Sequence, residues 1–456
     1  MEANLESVPQ EQSQTIAAIA TAHGAGGIGV IRISGSQAQS IAVALGARPS
    51  APRQASYARF CDAQGDVIDD GILIWFPAPL SFTGEHVVEL QVHSSPVLMQ
   101  ILLQRCLQLG ARLAQPGEFS QRAFLNGKLD LAQAEAIADL IAAADERAAR
   151  AARRALDGQF SKRCHAVAAK LTQLRVQIEA CIDFADEAED AASDAHVIKA
   201  FDDVEKEMKA LQYNAEQGQR LRDGWHCVLV GPPNVGKSAL LNALVGFERA
   251  IVTEIPGTTR DLLRERVTIK GTEITLVDTA GLRSMTQDPI EQEGIRRTQE
   301  ELARADIVLV VLDACQIEAG RHMIADAVAQ VPRALWIYNK SDCLAQPLTM
   351  KMSDSVVVSA LTGEGLDDLT TMIQGLIHSV IGEGNEGEFS ARLRHLSALK
   401  RVQAHLQEGL NLFQSAHLEL AAEELRLANT AIGEITGHTY PDDLLGEIFS
   451  SFCIGK

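Results

Sequence analysis

The sequence predicts a multidomain chain with an α+β N-terminal domain, an all-α helical domain, and an α/β domain inserted between the two halves of the helical one. Three observations carry that expectation. Residues 231–238 read GPPNVGKS between the apolar run Cys227-Val228-Leu229-Val230 and the segment SALLNALVG, a strand, a loop and a helix in succession. Leu, Ile and Ala recur at three- and four-residue intervals from about 127 to 220, and the same periodicity resumes beyond 388. Ahead of these, Val87-Val88-Glu89-Leu90-Gln91-Val92-His93 alternates with the period of a strand, and Pro96 to Gly110 has the pattern of an amphipathic helix. The expected divisions are 1–124, 125–220, 221–382 and 383–456. Gly382-Glu-Gly-Asn-Glu-Gly-Glu388 reads as a linker, and Lys270-Gly271 as the turn of a hairpin.

At 456 residues the chain is long enough for two or three cores. Aromatic residues are scarce at 4%, and Ala-rich runs such as AQAEAIADLIAAADERAARAARRAL favour helix. No stretch approaches the roughly 20 apolar residues needed to span a bilayer, and no charged n-region with an apolar h-region opens the chain. The expectation is a soluble, cytoplasmic protein without a membrane partner. Eight Cys without C-x-x-C spacing indicate neither a zinc site nor a disulfide framework, and most of them read as reduced core residues. A net charge of −19 argues against wrapping nucleic acid unaided. Arg147, Arg150, Arg153, Arg154, Lys162 and Arg163 form the best local basic patch, although a charge run in a helix is more often just a solvated face.

Residues 231–238 match the phosphate-loop pattern G-x-x-x-x-G-K-[ST] in its proper setting. Gly231 and Gly236 let the backbone curl so that the N–H groups from Asn234 to Ala239, Val235 and Gly236 among them, point at phosphate with the helix N-terminus behind. Lys237 adds a point charge, and Ser238 offers a hydroxyl to Mg2+. NKSD at 339–342 follows the apolar run Ala334–Tyr338 and so sits at the carboxyl end of a strand. There the Asp342 carboxylate accepts from both the ring N–H and the exocyclic amine of guanine, with Asn339 and Lys340 beside it. Adenine offers neither donor, and such a site discriminates by about four to five orders of magnitude. Ser359-Ala360-Leu361, after Val356-Val357-Val358, resembles the loop that backs the base.

DTAG at 278–281 supplies the catalytic side. Asp278 reaches Mg2+ through water, and Gly281 gives a backbone N–H to the γ-phosphate. Leu282 stands where Ras-like proteins place the Gln that orients the attacking water, so another group must hold that water. Glu291 and Glu293 are the candidates; a solvated helix N-terminus, where acids are favoured, accounts for either. Residues 252–261, VTEIPGTTRD, occupy the place of a switch loop, with Thr259 as a Mg2+ hydroxyl and Gly257-Thr258 as a backbone cradle. The Asn234 carbonyl can hold a monovalent cation where an arginine finger otherwise acts; Arg260 is a rival finger, or the partner of a nearby acid. The inserted domain is therefore expected to be an α/β P-loop GTPase domain of Ras-like type that binds and hydrolyses GTP.

PGEFSQRAFLNGKLDLAQAEAIADLI at 116–141, GTTRD at 257–261, DTAGLR at 278–283 and the terminal FCIGK closely resemble the bacterial tRNA-modification GTPase family called MnmE or TrmE, over essentially the whole chain. The resemblance implies a K+ ion held by Asn234, Thr253, Ile255 and Thr258, and hydrolysis when two nucleotide domains meet across it. It selects Glu291, three residues before the Gly of E-x-x-G-I, over Glu293. It further implies a homodimer built by N-terminal domains that bind a tetrahydrofolate derivative, the 5,10-methylene form being the donor. The chain's Arg32, Glu89, Lys128 and Lys456 are assigned to that ligand. With an FAD-dependent partner, MnmG (GidA), in a hetero-oligomer, such proteins place an aminomethyl or carboxymethylaminomethyl group on C5 of the wobble uridine of certain tRNAs. Cys453 is a candidate nucleophile beside the folate; the rival is a C-terminal tail that simply packs. The chain departs from the family pattern in TAHGAGGI near its start and in His93-Ser94-Ser95-Pro96. A regulatory GTPase that senses RNA or ribosome state, and a scaffold with a structural GTP site, are the alternatives; the family-specific termini favour the modification enzyme.

Overall fold

The computed structural model describes residues 14–48, 51–143, 145–183, 191–247, 264–270, 272–278, 301–302, 305–328, 333–346, 348, 354–381, 388–438, 442–450, 452 and 454–455. They form two compact units, one built from 1–138, 155–208 and 397–456, the other from 139–154 and 209–396.

In the first unit, β1 (Ile16–Ile19), β2 (Gly26–Ser34), α1 (Ala38–Ala44), β3 (Ser56–Cys61), β4 (Val67–Phe76), β5 (Val87–Ser94), α2 (Pro96–Gln108) and β6 (Arg112–Leu113) follow one another. The sheet order is β3-β4-β5-β2-β1-β6. Its pairs are antiparallel except for β1 with β6. The alternation in the sequence is what buries one face: Val88, Leu90 and Val92 of β5 are inside while Glu89 and Gln91 are not. They join Ile31, Ile33 and Leu73 in a core closed by Ile41 and Leu45 and by Met99, Leu102 and Cys106 of α2, the last three at helical spacing. Burial pushes the Cys106 thiol up to about 12.

The helices α3 (Glu118–Leu125), α4 (Leu131–Ala142), α5 (Glu146–Leu156), α6 (Gln159–Asp183) and α7 (Ala191–Asp223) follow. Their many alanines are largely interior: Ala132, Ala134, Ala136, Ala148, Ala151, Ala152 and Ala155 are all buried. In the basic patch, Arg150 forms an ion pair with Glu146, and Arg154 donates to the Glu388 carbonyl.

The second unit holds the inserted sheet: β7 (Trp225–Val230), α8 (Lys237–Phe247), β8 (Arg264–Ile269), β9 (Thr272–Asp278), β10 (Ile307–Asp313), α9 (Ile317–Val328), β11 (Ala334–Asn339), β12 (Ser355–Val357) and α10 (Leu366–Ile381). The order β12-β11-β10-β7-β9-β8 is parallel except for β8, which pairs antiparallel with β9. Strand β10 is buried from Ile307 through Leu312, the continuous apolar run of a strand covered on both faces. Leu240 and Leu244 of α8 and Leu369 and Ile373 of α10 lie in the core on one face, Ile324 of α9 in the core on the other. The expected hairpin is present, with Ile269 opposite Thr272 and Lys270 at φ +47°, a left-handed turn residue.

The last helices are α11 (Leu393–Gln414), α12 (Leu418–Thr436) and α13 (Asp442–Ser450). Helix α12 packs along α6. Both present a heptad stripe to the interior, Cys164, Val167, Leu171, Leu174 and Ile178 from α6, and Ala421, Leu425, Ala428, Ile432 and Ile435 from α12. Helices from before and after the inserted sheet therefore pack together within this unit. Among the described residues no helix is long and apolar enough to cross a membrane. Only three of the seven described cysteines are buried, which corrects the expectation that most lie in the core. Cys315 and Cys343 are exposed because each lies just past the carboxyl end of a strand, where the chain turns outward.

The chain enters and leaves the inserted domain through a buried carboxylate. Asp139 accepts from Arg222 Nε at 2.8 Å, ahead of β7, and from Arg392 Nη2 at 2.7 Å and Ser390 Oγ at 3.3 Å, after α10. Close by, α7 and the returning chain run backbone to backbone, since a Cβ at Gly218 would sit 2.0 Å from the Phe389 carbonyl oxygen. Helix propensity alone would reward Gly218→Ala by about 1 kcal/mol. We expect the opposite sign, a loss of about 1–3 kcal/mol from overpacking, read from the denaturant midpoint of the unit's unfolding transition; a midpoint raised by the substitution would show that the two segments separate freely.

Candidate functional site

Strand register places the phosphate loop. Strand β7 lies between β9 and β10, with Leu229 opposite Asp278 and Val230 opposite Val310, so the loop that follows Val230 has Asp278 on one side and the end of β10 on the other. A Cβ at Gly231 would sit 2.1 Å from the Val311 carbonyl oxygen, and one at Gly236, whose φ is +91°, would sit 2.5 Å from Asn339 Nδ2. Glycine is required at both positions by close approach. Asn234 takes φ +64°, a region that Asn tolerates better than most residues.

Lys237 is buried, and its Nζ donates to the carbonyls of Gly231 and Pro232 at 2.9 Å each, which holds the charge over the loop. Ser238 Oγ donates to Asp278 Oδ2 at 2.6 Å, and Asp278 is fully buried. A hydroxyl and a buried carboxylate so close form the hard-oxygen pair that suits Mg2+. Ala239 follows in the first turn of α8.

The NKSD end of the site is organised by Asn339. Its Nδ2 donates to the Val235 carbonyl at 2.9 Å, and its Oδ1 accepts from the Ala360 N–H at 3.0 Å. One buried amide thus joins the phosphate loop to both loops at the base end. Asp342 is exposed, with Oδ1 accepting from the buried Ser359 hydroxyl at 2.5 Å. That bond holds the Asp342 carboxyl below its ordinary range, so it is an acceptor throughout neutral and mildly acid pH. Ser359 Oγ in turn accepts from the Thr362 N–H at 3.1 Å.

Lys340, at φ +68°, donates from Nζ to Asp313 Oδ2 at 2.8 Å. The bond raises the lysine above its ordinary value. Burial pushes Asp313 upward, yet the bonds from Lys340 and the Cys315 N–H prevail and hold it low. Asp313 did not figure among the sequence candidates, although its place at the carboxyl end of the apolar run IVLVVLD is the signal that marks Asp278.

Of the remaining predicted residues, Thr253, Ile255, Thr258, Thr259, Gly281, Glu291, Cys453 and Lys456 lie outside the described residues. In the first unit Arg32 pairs with Glu89, its Nη2 2.9 Å from Oε1, with the Phe82 and Phe119 rings each 5.7 Å from the guanidinium. Lys128 donates to the Pro79 carbonyl at 2.9 Å. The two ends of the resemblance converge on neighbouring places: a Cβ at Gly117 would meet the Phe449 carbonyl at 2.6 Å, and one at Gly455 the Ile19 carbonyl at 2.3 Å.

A mostly parallel sheet whose strand ends carry a phosphate loop, a buried carboxylate bonded to the loop's serine and an NKSD turn has the arrangement of a P-loop GTPase. Residues 131–453 match the model of the MnmE helical domain, and residues 15–128 that of the GTP-binding protein TrmE N-terminus. The chain is 59% identical over 446 residues to a tRNA modification GTPase MnmE from Xylella fastidiosa strain Temecula1, which covers 98% of this chain and 99% of that protein. It is 58% identical over 445 residues to one from Xanthomonas campestris pv. campestris strain B100, covering 97% and 99%. The chain belongs to the MnmE family. Among solved structures the FeoB G-domain of Methanococcus jannaschii aligns with 34% of this chain and 97% of its own at 24% identity, with a TM-score of 0.25, too low to carry an argument.

Asp342→Ala removes two charge-assisted acceptors, so GDP affinity should fall by about two to three orders of magnitude. Ser359→Ala leaves the carboxylate but frees its orientation and should cost about fivefold. Calorimetric titration with GDP and ADP measures both; unchanged GDP binding by the Asp342 variant would remove it as the base reader.

Proposed function

We propose that the chain hydrolyses GTP in the service of tRNA modification, with an FAD-dependent partner of the MnmG kind, at C5 of the wobble uridine. The observation that carries the nucleotide half is the Asn339 bridge, which holds the phosphate cradle and an exposed, ionised Asp342 in one frame. The tRNA half is supported by the relatives just named, which are tRNA modification GTPases over nearly the full length of both chains.

In this reading the loop amides and Lys237 orient the phosphates, and Asp342 selects guanine. Ser238, Thr259 and Asp278 are the residues that would hold Mg2+, which would neutralise charge on the phosphates. Asn234, Thr253, Ile255 and Thr258 hold K+, whose charge supplies the electrostatic stabilisation that a finger arginine gives elsewhere. Glu291 positions the attacking water and takes its proton, the task left open by Leu282. Two such domains face each other in a homodimer when turnover occurs. The Arg32–Glu89 pair, with Lys128 and Lys456, serves a tetrahydrofolate one-carbon donor, and Cys453 is the nucleophile offered to it. The net charge of −19 assigns much of the RNA grip to the partner.

GTP turnover should be faster in K+ than in Na+ at equal ionic strength. Glu291→Ala should lower kcat by at least about a hundredfold while leaving GDP affinity unchanged; a variant that turns over normally would strip Glu291 of its role. Wobble-uridine analysis of tRNA from cells lacking the chain tests the remainder, and an unaltered modification profile would leave a regulatory GTPase in its place.

A further inference from the structure

Away from the nucleotide, the first unit contains a cavity of about 320 Å³ beside α6 and α12 that the proposed function does not use. His165 of α6 and His438, two residues past the end of α12, stand at its rim, both exposed. Their Nε2 atoms are 3.2 Å apart and their ring centroids 5.2 Å, at an interplanar angle of 60°. Two imidazole nitrogens so close cannot both carry hydrogen toward each other. Either one donates to the other's lone pair, or both lone pairs share a third centre.

A first-row ion lies about 2.0–2.1 Å from imidazole nitrogen, and two ligands 3.2 Å apart then subtend an angle of about 100° at it, between the octahedral and tetrahedral values. Directing each ring axis at that common point sets the centroids about 5 Å apart, close to the separation found. The charges around the rim permit a cation. Arg175 is matched by Glu179 at 3.2 Å and Arg426 by Glu423 at 2.7 Å, so neither guanidinium presents an uncompensated charge. The chain's overall charge of −19 draws cations toward the surface.

We propose that His165 and His438 form a two-imidazole site for a divalent transition-metal ion of the kind that favours nitrogen, with Zn2+ as the probe. No group of three His, Cys, Asp or Glu that could hold a metal occurs among the described residues, so water completes the coordination. The ion ties the second residue past α12 to the N-terminal part of the long α6, and so fixes where the chain departs toward α13. The site is separate in sequence and chemistry from the Mg2+ and K+ positions.

The test uses the full chain without an affinity tag, saturated with Mg2+ and GDP, and carrying C315S and C343S to remove the two thiols exposed among the described residues. Zinc calorimetry should show one site per chain that weakens at least about tenfold in H165Q and again in H438Q, because each substitution ends the chelate. Zinc X-ray absorption should show two imidazole nitrogens in the parent and one or none in either variant. Basal GTP turnover serves as the folding control and should be unchanged in both. Superimposable isotherms for parent and variants, a loss confined to one of the two, or no imidazole signature in the parent would overturn the site and leave an ordinary His–His hydrogen bond.

Discussion

The amide of Asn339 is the interaction on which the nucleotide site rests. It donates to the phosphate loop and accepts from the loop behind the base, and it approaches Gly236 so closely that no side chain fits between them. A buried amide with both ends satisfied is worth more as a spacer than as a source of stability. Breaking either bond leaves a desolvated partner, which costs more than the bond itself contributes. Distance between phosphate and base is therefore held by a side chain whose geometry permits little variation, and the remaining parts can be chosen for chemistry. Ser359 orients the Asp342 carboxylate, Asp313 restrains Lys340, and Ser238 bonds to Asp278.

The same logic recurs where the inserted domain joins the helical chain. Asp139 is a buried carboxylate, and alone it would be costly; with Arg222, Arg392 and Ser390 on it the charge is compensated. Those partners come from chain segments on either side of the nucleotide domain, so the pairing makes the geometry of one crossing depend on the other. The close passage of Gly218 and Phe389 allows little slack between them. Entry and exit are thereby held as a pair at the root of β7, the strand whose far end is the phosphate loop.

In the first unit the organising force is apolar burial in two periods. The sheet buries every second residue of β5, while α6 and α12 bury residues in steps of three and four. The short α13 is drawn to α3 and α4 by Phe449 and Phe452, which share a core with Leu131 and Ala134. This brings the terminal motif beside the N-terminal strands, far from it in sequence.

Much of this was legible in the residues. The apolar runs at 227–230 and 334–338 became β7 and β11, and Lys270 became a turn residue, because a strand buried on both faces and a left-handed turn each demand a narrow set of residues. The phosphate loop was legible for the same reason: glycine at a close approach has few substitutes. Asp313 was not legible as a partner of Lys340, nor Asp139 as a clamp, nor the histidines 165 and 438 as neighbours. Those relations join residues that lie 27, 83 to 253 and 273 positions apart. Local pattern reports what a residue needs from its own strand or helix. Which distant side chain satisfies it is decided only when sheet register and helix packing bring the two within reach.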